Sequence, residues 1–345
     1  MSVALEPTTT RTPLPGGDQP GNQPGGGRGR TRTTGALAAV LRGLRGTPIG
    51  VWIAAAVLAF LVLAAVVPSL LTVKDPYIID PAGAFTSPNA DHLFGTDQNG
   101  RDVFSRVIAG TGQSLLLGLA ATAIGLVLGG LLGITAGVSG KWLDSAICRF
   151  VEILFAFPGL LLALIVIAVS GTGVVTAAIA VGVGTAPGYA RMLRTQTLQV
   201  IAAPYVETAR SLGRSRRHIL WHTIVPNVIR PLFVLATLGV GQAIVWASSL
   251  SFLGLGAQPP TPEWGSMLAE SRAFIDRAPQ LLAWPGLAIT LVVLAFNLAG
   301  DGLRDGRVDE GLGVDGGHPA LPDQLGDLRL HGRARLLGGA QPADA

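Results

Sequence analysis

The sequence has 345 residues, of which 49% are hydrophobic and only 13% are charged, whereas charged residues make up about a quarter of a typical soluble domain. Most of the chain is therefore expected to lie in a lipid bilayer. This composition excludes a large water-soluble catalytic domain, and the single cysteine, Cys148, excludes a disulfide framework. The formal net charge of +4 does not require nucleic acid as a partner, because basic residues also accumulate in the cytoplasmic loops of membrane proteins.

Both ends of the chain have the composition of disordered segments. Residues 1–34 are rich in Gly, Pro, Thr and Arg and cannot bury enough apolar surface to offset the entropy lost on folding. We therefore expect a disordered cytoplasmic N-terminal tail over residues 1–48. Gly, Pro, Asp and Arg again dominate near the C-terminus, and we expect residues 310–345 to form a second disordered cytoplasmic tail.

Six apolar segments between these tails predict transmembrane helices. The first, residues 49–71, carries no charge and would extend about 34 Å as a helix, which is enough for a hydrocarbon core of roughly 30 Å. It is too long for a signal-peptide core, so we interpret it as a retained transmembrane anchor. The other five segments are residues 114–138, 153–169, 174–189, 233–253 and 281–298.

These segments predict an all-α membrane protein with six transmembrane helices. Residues 72–113 then form an extracytoplasmic loop, and residues 114–309 form a core with five of the helices. The side with more basic residues is cytoplasmic by the positive-inside rule, so both termini are predicted to be cytoplasmic. Of the 25 Lys and Arg residues, 20 fall on that side, and the other side receives Lys74, Arg101, Arg106, Arg272 and Arg277.

Four glycines recur at every fourth position of the second apolar segment. Gly125, Gly129, Gly133 and Gly137 lie along one face of a helix, where the absence of side chains lets another backbone approach closely. The pattern predicts a helix-packing surface, with the neighbouring helix either in this chain or in a partner. The alternative is that the spacing only reflects the abundance of glycine, of which the chain has 47.

Ionisable side chains are nearly absent from the interior of the predicted spans. Arg149 and Glu152 stand one turn apart at a helix start, where they can pair, and Asp301 lies at the cytoplasmic end of the last span. A transporter driven by an ion gradient is expected to carry a carboxylate or a histidine nearer the middle of the bilayer. The energy for transport is therefore expected to come from another source.

The longest cytoplasmic loop, residues 196–231, contains signals for a short helix. Pro204 suits the first turn, Glu207 lies near the positive end of the helix dipole, and Gly213 suits the residue just past the end. These signals predict a helix over residues 204–212. At Gly213 we also expect no room for a side chain.

This predicted helix suits a groove on another protein. Ala209 adds little bulk, and Arg214, Arg216 and Arg217 follow directly. The alternative is an ordinary amphipathic connector on the membrane surface, to which the three arginines are also suited.

Five residues of the loop form a further pattern. They are Glu207, Ala209, Gly213, Pro226 and Asn227. This pattern resembles the EAA loop of ATP-binding-cassette importer permeases, and the resemblance implies that these residues belong to a coupling helix that docks on a cytoplasmic ATPase. The chain departs from the family pattern at Thr208 and Val225, where the family usually has Ala and Leu, and both changes keep a small or apolar residue.

Other segments are similar to the dipeptide, oligopeptide and nickel branch of these permeases, and in particular to its second, six-span permease. The segments are residues 92–110, 155–164, 251–268 and 285–305. The resemblance covers about residues 49–309. It implies a bacterial inner-membrane subunit that pairs with a homologous permease as a heterodimer, rests on two ATPase subunits, and receives peptides or nickel from an extracytoplasmic substrate-binding protein.

The same resemblance implies that ATP is hydrolysed in a partner subunit and that this chain has no catalytic residue and no cofactor. A secondary transporter driven by an ion gradient is the alternative function. Co-purification with a stoichiometric ATPase would distinguish the two, because only the importer requires that subunit.

Three weaker patterns are interpreted as structural. His218 and His222 have the spacing of a metal-binding pair, but no third ligand lies nearby in sequence. Residues 97–102 superficially resemble a calcium loop, but their glycine is at the wrong position, and a structured outer loop is expected instead. Residues 311–316 match G-x-G-x-x-G without following a strand, and Gly140-Lys141 lacks the rest of a phosphate loop. We therefore expect neither a metal site nor a nucleotide site.

Overall fold

The computed structural model describes residues 49–312. The tails predicted to be disordered, residues 1–48 and 310–345, lie outside this range except for residues 310–312, which are helical. Within the described residues the chain is helical, with an isolated bridge between Thr96 and Asp102 and no β-strand. The predicted all-α class is confirmed for this part of the chain.

The helices follow one another along the chain with mostly short connections. In order they are α1 (Ile49–Val66), α2 (Val103–Val138), α3 (Lys141–Phe155), α4 (Gly159–Ser170), α5 (Val174–Ile201), α6 (Pro204–Ser211), α7 (Arg216–Ile219), α8 (Val225–Ile229), α9 (Leu232–Phe252), α10 (Trp264–Ser271) and α11 (Gln280–Leu312). A π-helical turn, Leu220–Ile224, joins α7 to α8. Turns of 3-10 helix occupy Pro68–Leu70, Pro81–Gly83 and Arg272–Phe274.

Four of the described helices are long and apolar enough to cross a membrane, namely α1, α2, α9 and α11. The pair α3 and α4 makes a fifth candidate if it is counted as one bent span. Helix α5, which contains the predicted span over residues 174–189, is not among these candidates. The structure therefore supports a multi-pass protein with four or five candidate spans.

The apolar segment 153–169, predicted as one span, is divided between two helices that meet at 90°. Helix α3 ends at Phe155, and α4 begins at Gly159, directly after Pro158. Proline has no N–H to donate and disfavours helical geometry in the residue before it. The break therefore follows from Pro158, whose effect the hydropathy of the segment does not reveal.

The first two long helices have different limits from the apolar segments that predict them. Helix α1 ends at Val66 and not at residue 71, because Pro68 restricts the preceding residue to extended geometry. Helix α2 begins at Val103, where the Asp102 carboxylate accepts a hydrogen bond of 2.8 Å from the Ser105 N–H. An N-cap of this kind starts a helix regardless of hydropathy, so residues 103–113 are helical and not part of an irregular loop.

Buried side chains form three hydrophobic clusters. The first joins α1, α2, α9, α10 and α11 and includes Leu61 and Trp264. The second joins α2, α4, α5 and α9 and includes Val181. The third joins α6, α7 and α8 to α5. It contains Leu193, Val206, Ile219, Ile224 and Val228 and is called the loop cluster below.

Candidate functional site

Helix α6 begins where its end signals predict and ends one residue before the predicted limit of residue 212. It begins with Pro204 at its first position and ends at Ser211, followed by Leu212 and then Gly213 with a φ of 72°. The Gly213 N–H donates to the Arg210 carbonyl at 2.9 Å, and the Arg214 N–H donates to the Ala209 carbonyl at 3.2 Å. This pair of bonds is a Schellman motif, which satisfies carbonyls at the helix end and requires the left-handed conformation that glycine adopts most easily.

One expectation for Gly213 is wrong. A Cβ atom added at this position would meet no atom within 4 Å, so the site has room for a side chain. The constraint comes from the positive φ alone, because a Cβ in left-handed geometry clashes with its own backbone.

The two faces of α6 have different surroundings. Val206 is fully buried in the loop cluster, and Ala209 packs partly buried against the same cluster. On the other side Tyr205 is 47% exposed, Leu212 is 75% exposed, and Thr208 lies between them. Tyr205, Thr208 and Leu212 are called the outer face of α6 below. Ala209 therefore serves internal packing, which differs from the interpretation that its small size fits a groove on another protein.

Pro226 and Asn227 lie where the loop returns to the bundle. Because Pro226 cannot donate a hydrogen bond and its ring crowds the preceding turn, the backbone before it widens, and the Val225 N–H donates to the Leu220 carbonyl in a π-helical turn. The Asn227 side chain donates to the Thr223 carbonyl at 2.6 Å. The two residues therefore shape the segment that carries Ile224 and Val228 into the loop cluster.

The glycine series of α2 lies against α5 of the same chain. A Cβ added to Gly125 would lie 2.4 Å from Thr185 Oγ1, and one added to Gly133 would lie 2.4 Å from the Ala190 carbonyl oxygen. The equivalent distances at the other two positions are 2.5 Å to Tyr189 Cβ for Gly129 and 2.6 Å to Thr197 Cγ2 for Gly137. These distances are shorter than a carbon contact of about 3.5–4.0 Å, so the two helices touch where the glycines provide space.

A charged pair joins α3 to α5 near the same contact. Arg194 donates two hydrogen bonds to the Asp144 carboxylate, from Nε to Oδ1 at 2.6 Å and from Nη2 to Oδ2 at 2.7 Å. This bidentate geometry is the strongest arrangement available to the two groups. Sequence reasoning missed the pair, because the partners are 50 positions apart and no local pattern links them.

The family of the chain follows from comparison with known proteins. Residues 129–306, which contain α6 and three of the four glycines, match the family described as binding-protein-dependent transport system inner membrane component. The chain belongs to this family.

Individual relatives agree with the family match. The dipeptide transport system permease protein DppC of Alkalihalophilus pseudofirmus is 42% identical over 71% of this chain and 80% of its own length. The glutathione transport system permease proteins GsiD of Pectobacterium atrosepticum and Escherichia coli are 45% and 47% identical, each over 63% of this chain and 72% of its own length. A solved structure of the MetNI methionine ABC transporter in an inward-facing conformation is similar at 19% identity, with a TM-score of 0.48 over 59% of this chain and 95% of that chain.

The prediction of a permease subunit of an ATP-binding-cassette importer is confirmed by the family and by these relatives. Membership implies ATPase and substrate-binding protein partners and a multi-pass location in the inner membrane. Nothing in the comparisons supports a secondary transporter.

The loop before α2 holds a buried ionic cluster that sequence reasoning also missed. Arg101 donates from Nε to Asp97 Oδ2 and from Nη2 to Glu270 Oε2, both at 2.6 Å. Arg106 is buried beside the same two carboxylates, at 3.7 Å and 3.5 Å. The cluster fixes the loop before α2 to α10. The acidic and basic residues in residues 97–106 were a signal for it, but Glu270 was too distant in sequence to be assigned.

In the loop segment that superficially resembles a calcium loop, residues 97–102, the Asp97 carboxylate is bound by arginine. Asp97 accepts hydrogen bonds from the Asn99 N–H at 2.8 Å and the Arg101 N–H at 3.0 Å in addition to the Arg101 side chain. The guanidinium groups supply the positive charge next to this carboxylate. The prediction of a structured outer loop agrees with this geometry.

His218 and His222 stack on each other with ring centroids 4.3 Å apart. Desolvation lowers the pKa of His218, and the neighbouring His222 and Arg214 lower it further. Among the described side chains, those of residues 49–302, no group of three or more His, Cys, Asp and Glu is arranged to hold a metal ion. The geometry of the histidine pair is that of a stacked pair on the loop surface.

Proposed function

We propose that this permease forms half of the translocation path of a peptide importer, and that α6 couples the path to a separate ATPase. Relatives named for dipeptide and glutathione transport support a peptide substrate, since glutathione is itself a small peptide. Nickel, the other substrate that the resemblance implies, has no such support among these relatives.

The coupling role rests on the contrast between the two faces of α6. Val206 anchors the helix in the loop cluster, while Tyr205 and Leu212 leave an apolar surface that internal packing does not use. A short helix with one anchored face and one free apolar face suits insertion into a groove on a partner. By the family resemblance this groove belongs to the ATPase, with Glu207 at the exposed start of the helix.

The proposed mechanism is a rigid-body movement that begins at α6. Closure of the ATPase displaces α6, the loop cluster carries the displacement to α5 through Leu193, and the glycine contacts carry it from α5 to α2. Close-packed interfaces transmit such movements because they do not deform continuously. Alternating access then follows when these helices rock against the second permease.

We propose six spans with both termini in the cytoplasm. The bent pair α3 and α4 is the third span and α5 is the fourth. Helix α5 has 28 residues and would extend about 42 Å. Because α5 packs against α2 and α4 in the second cluster, it has less need of an apolar surface toward lipid. The division of basic residues, 20 against five, supports the orientation.

The proposed assembly contains a homologous second permease, two cytoplasmic ATPase subunits and an extracytoplasmic binding protein. ATP hydrolysis is assigned to the ATPase subunits, and this chain supplies no catalytic group and binds no cofactor. The family name supports the binding protein directly, whereas the heterodimer and the number of ATPase subunits follow from the resemblance to the peptide branch.

We also propose that the corner between α3 and α4 forms part of the path wall. A cavity of about 620 Å³ lies there, next to the middle of α5, with the aromatic side chains of Phe155, Phe157, Tyr189 and Trp246 in its lining. Irregular backbone at membrane depth is tolerated only where it is buried in protein or lines a water-filled cavity. Broken helices of this kind mark the substrate sites of many transporters.

The coupling proposal is tested by placing a charge on the outer face of α6. Leu212→Glu should weaken co-purification of the ATPase subunits and lower binding-protein-stimulated ATPase activity per permease, because a carboxylate replaces an apolar contact. The control is Lys141→Glu, an exposed position on the same side of the membrane in the proposed topology but outside the loop. Normal ATPase recovery with Leu212→Glu would contradict the docking role.

A further inference from the structure

A large cavity beside α6 is lined by four arginines. It has a volume of about 780 Å³, and the arginines are Arg210, Arg214, Arg216 and Arg217. All four side chains are exposed. Arg210 stands one turn after Val206, so it lies on the inner side of α6 and away from the outer face defined above.

These arginines are not neutralised within the part of the chain that the structure describes. Among the side chains of residues 49–302 none of the four forms an ion pair with a carboxylate, and the Arg214 guanidinium lies 3.3 Å from the ring nitrogen of His218. Arg216 and Arg217 begin α7, where the helix dipole disfavours positive charge. Local folding therefore does not account for this concentration of cations, and the cavity has the electrostatics of an anion site.

Most of the remaining lining is apolar, and part of it lies at the ends of two long helices. Ile201 ends α5, Val138 ends α2, and Ile219 and Leu220 also line the cavity. In the proposed topology both helix ends lie at the cytoplasmic surface of the bilayer. A basic rim above an apolar wall at this depth matches an amphiphile that has an anionic head.

We propose that this cavity binds the phosphate headgroup of an anionic phospholipid from the cytoplasmic leaflet. The arginines donate charge-assisted hydrogen bonds to the phosphate oxygens, and the glycerol and upper acyl region pack on Ile201, Ile219 and Leu220. Basic pockets at the cytoplasmic ends of transmembrane helices recognise lipids in this way. The bound lipid holds the α6–α7 turn at the membrane while the outer face of α6 remains free for the ATPase. The proposal rests on the proposed topology.

The test measures lipid binding to the full-length permease purified with its partner subunits. The delipidated complex is titrated with phosphatidylglycerol or phosphatidylcholine and examined by native mass spectrometry. Wild type should prefer phosphatidylglycerol, and Arg216→Gln with Arg217→Gln should lower its affinity by about tenfold or more. These substitutions should not unfold α7, because they remove charges that the dipole disfavours. Lysine at both positions should restore most of the preference.

A charge-matched control distinguishes lipid binding in the cavity from attraction of the lipid to positive surface charge in general. Lys141→Gln with Arg149→Gln also removes two positive charges from exposed positions, but neither residue lines the cavity, and phosphatidylglycerol binding should stay within about twofold of wild type. Equal losses in the two double variants, or no loss in either, would overturn the proposal. Displacement of the lipid by inorganic phosphate or ATP at similar concentration would also overturn it, since the site would then favour a soluble anion.

Failure of the proposed lipid site can be distinguished from failure of the proposed coupling role of α6. ATPase recovery is measured on the same samples, and the arginine variant should retain its ATPase subunits. If it loses them while keeping its preference for phosphatidylglycerol, the arginines are partner contacts and the lipid site is refuted. If Leu212→Glu leaves ATPase recovery unchanged but the arginine variant loses lipid preference, the lipid site stands and the coupling proposal fails.

Discussion

Replacement of Gly129 by alanine should separate α2 from α5. The added Cβ would lie 2.5 Å from Tyr189 Cβ, 2.8 Å from the Ala186 carbonyl oxygen and 2.9 Å from the Ala190 nitrogen. Carbon atoms pack at about 3.5–4.0 Å, so the helices must move apart by about 1 Å. Two of the three atoms belong to backbone and cannot rotate away. Overpacking of this kind costs about 1–3 kcal/mol.

The neighbouring Gly130 supplies a matched control on the same helix. It is also buried, but the nearest atom to an added Cβ is Leu193 Cδ1 at 3.7 Å, an ordinary contact with a side chain. Alanine there should be neutral or stabilising by up to about 1 kcal/mol, the difference in helix propensity. Because the propensity gain is common to both changes, the two variants should differ by the overpacking cost of about 1–3 kcal/mol, although they lie one residue apart.

The assay is thermal unfolding of the purified complex in mild detergent, followed by fluorescence-detected size exclusion. Gly129→Ala should lower the apparent melting temperature by on the order of 5 °C relative to Gly130→Ala and should reduce the yield of assembled complex. Gly50→Ala is a second control, since the nearest atom to an added Cβ at this position is 3.9 Å away. Equal melting temperatures for Gly129→Ala and Gly130→Ala would refute the packing argument.

Three further outcomes are expected. In a background without the native cysteine, Asp91→Cys should be labelled by an impermeant maleimide from outside and Ser215→Cys should not; labelling of Ser215→Cys in intact cells would reverse the proposed orientation. Gly213→Ala should cost about 1–2 kcal/mol at the helix end, and Gly213→Val should cost more because a β-branched residue resists positive φ. Substrate uptake per permease should be lower for Gly213→Val than for Gly213→Ala. Wild-type uptake by both variants would show that the turn at Gly213 is dispensable. Asp144→Asn should cost about 1–3 kcal/mol by breaking the bidentate pair with Arg194, and a double-mutant cycle with Arg194→Gln that gives no coupling energy would show that the pair is unimportant.

The parts of the fold that local chemistry determines could be predicted from the sequence. The limits of α6 follow from Pro204 and Gly213, whose backbone preferences act without tertiary contacts. The break between α3 and α4 was also readable, since Pro158 lies inside the apolar segment, but a hydropathy average does not register it. The early start of α2 depends on the Asp102 cap, a local signal that hydropathy also ignores.

The contacts that join distant segments could not be predicted in the same way. The pairing of Arg101 with Glu270 brings together residues 169 positions apart, and a single sequence contains no periodicity that links them. The glycine spacing predicted a close helix contact, but it could not identify α5 as the neighbour. The partial burial of Ala209 against the loop cluster could not be predicted, because the sequence does not reveal which face of a short helix is anchored.

The structure gives α2 a wider role than its glycine surface suggests. The helix has 36 residues and would extend about 54 Å, longer than the hydrocarbon core of roughly 30 Å. One end lies on α5 through Gly133 and Gly137, and the other end is tied by Arg106 into the ionic cluster with Glu270 of α10. A continuous helix held at both ends is expected to move largely as a unit, because a sharp kink would break backbone hydrogen bonds. A displacement that α5 passes to α2 is therefore expected to reach the loop before α2 and α10, which in the proposed orientation lie on the side where a binding protein would release its substrate.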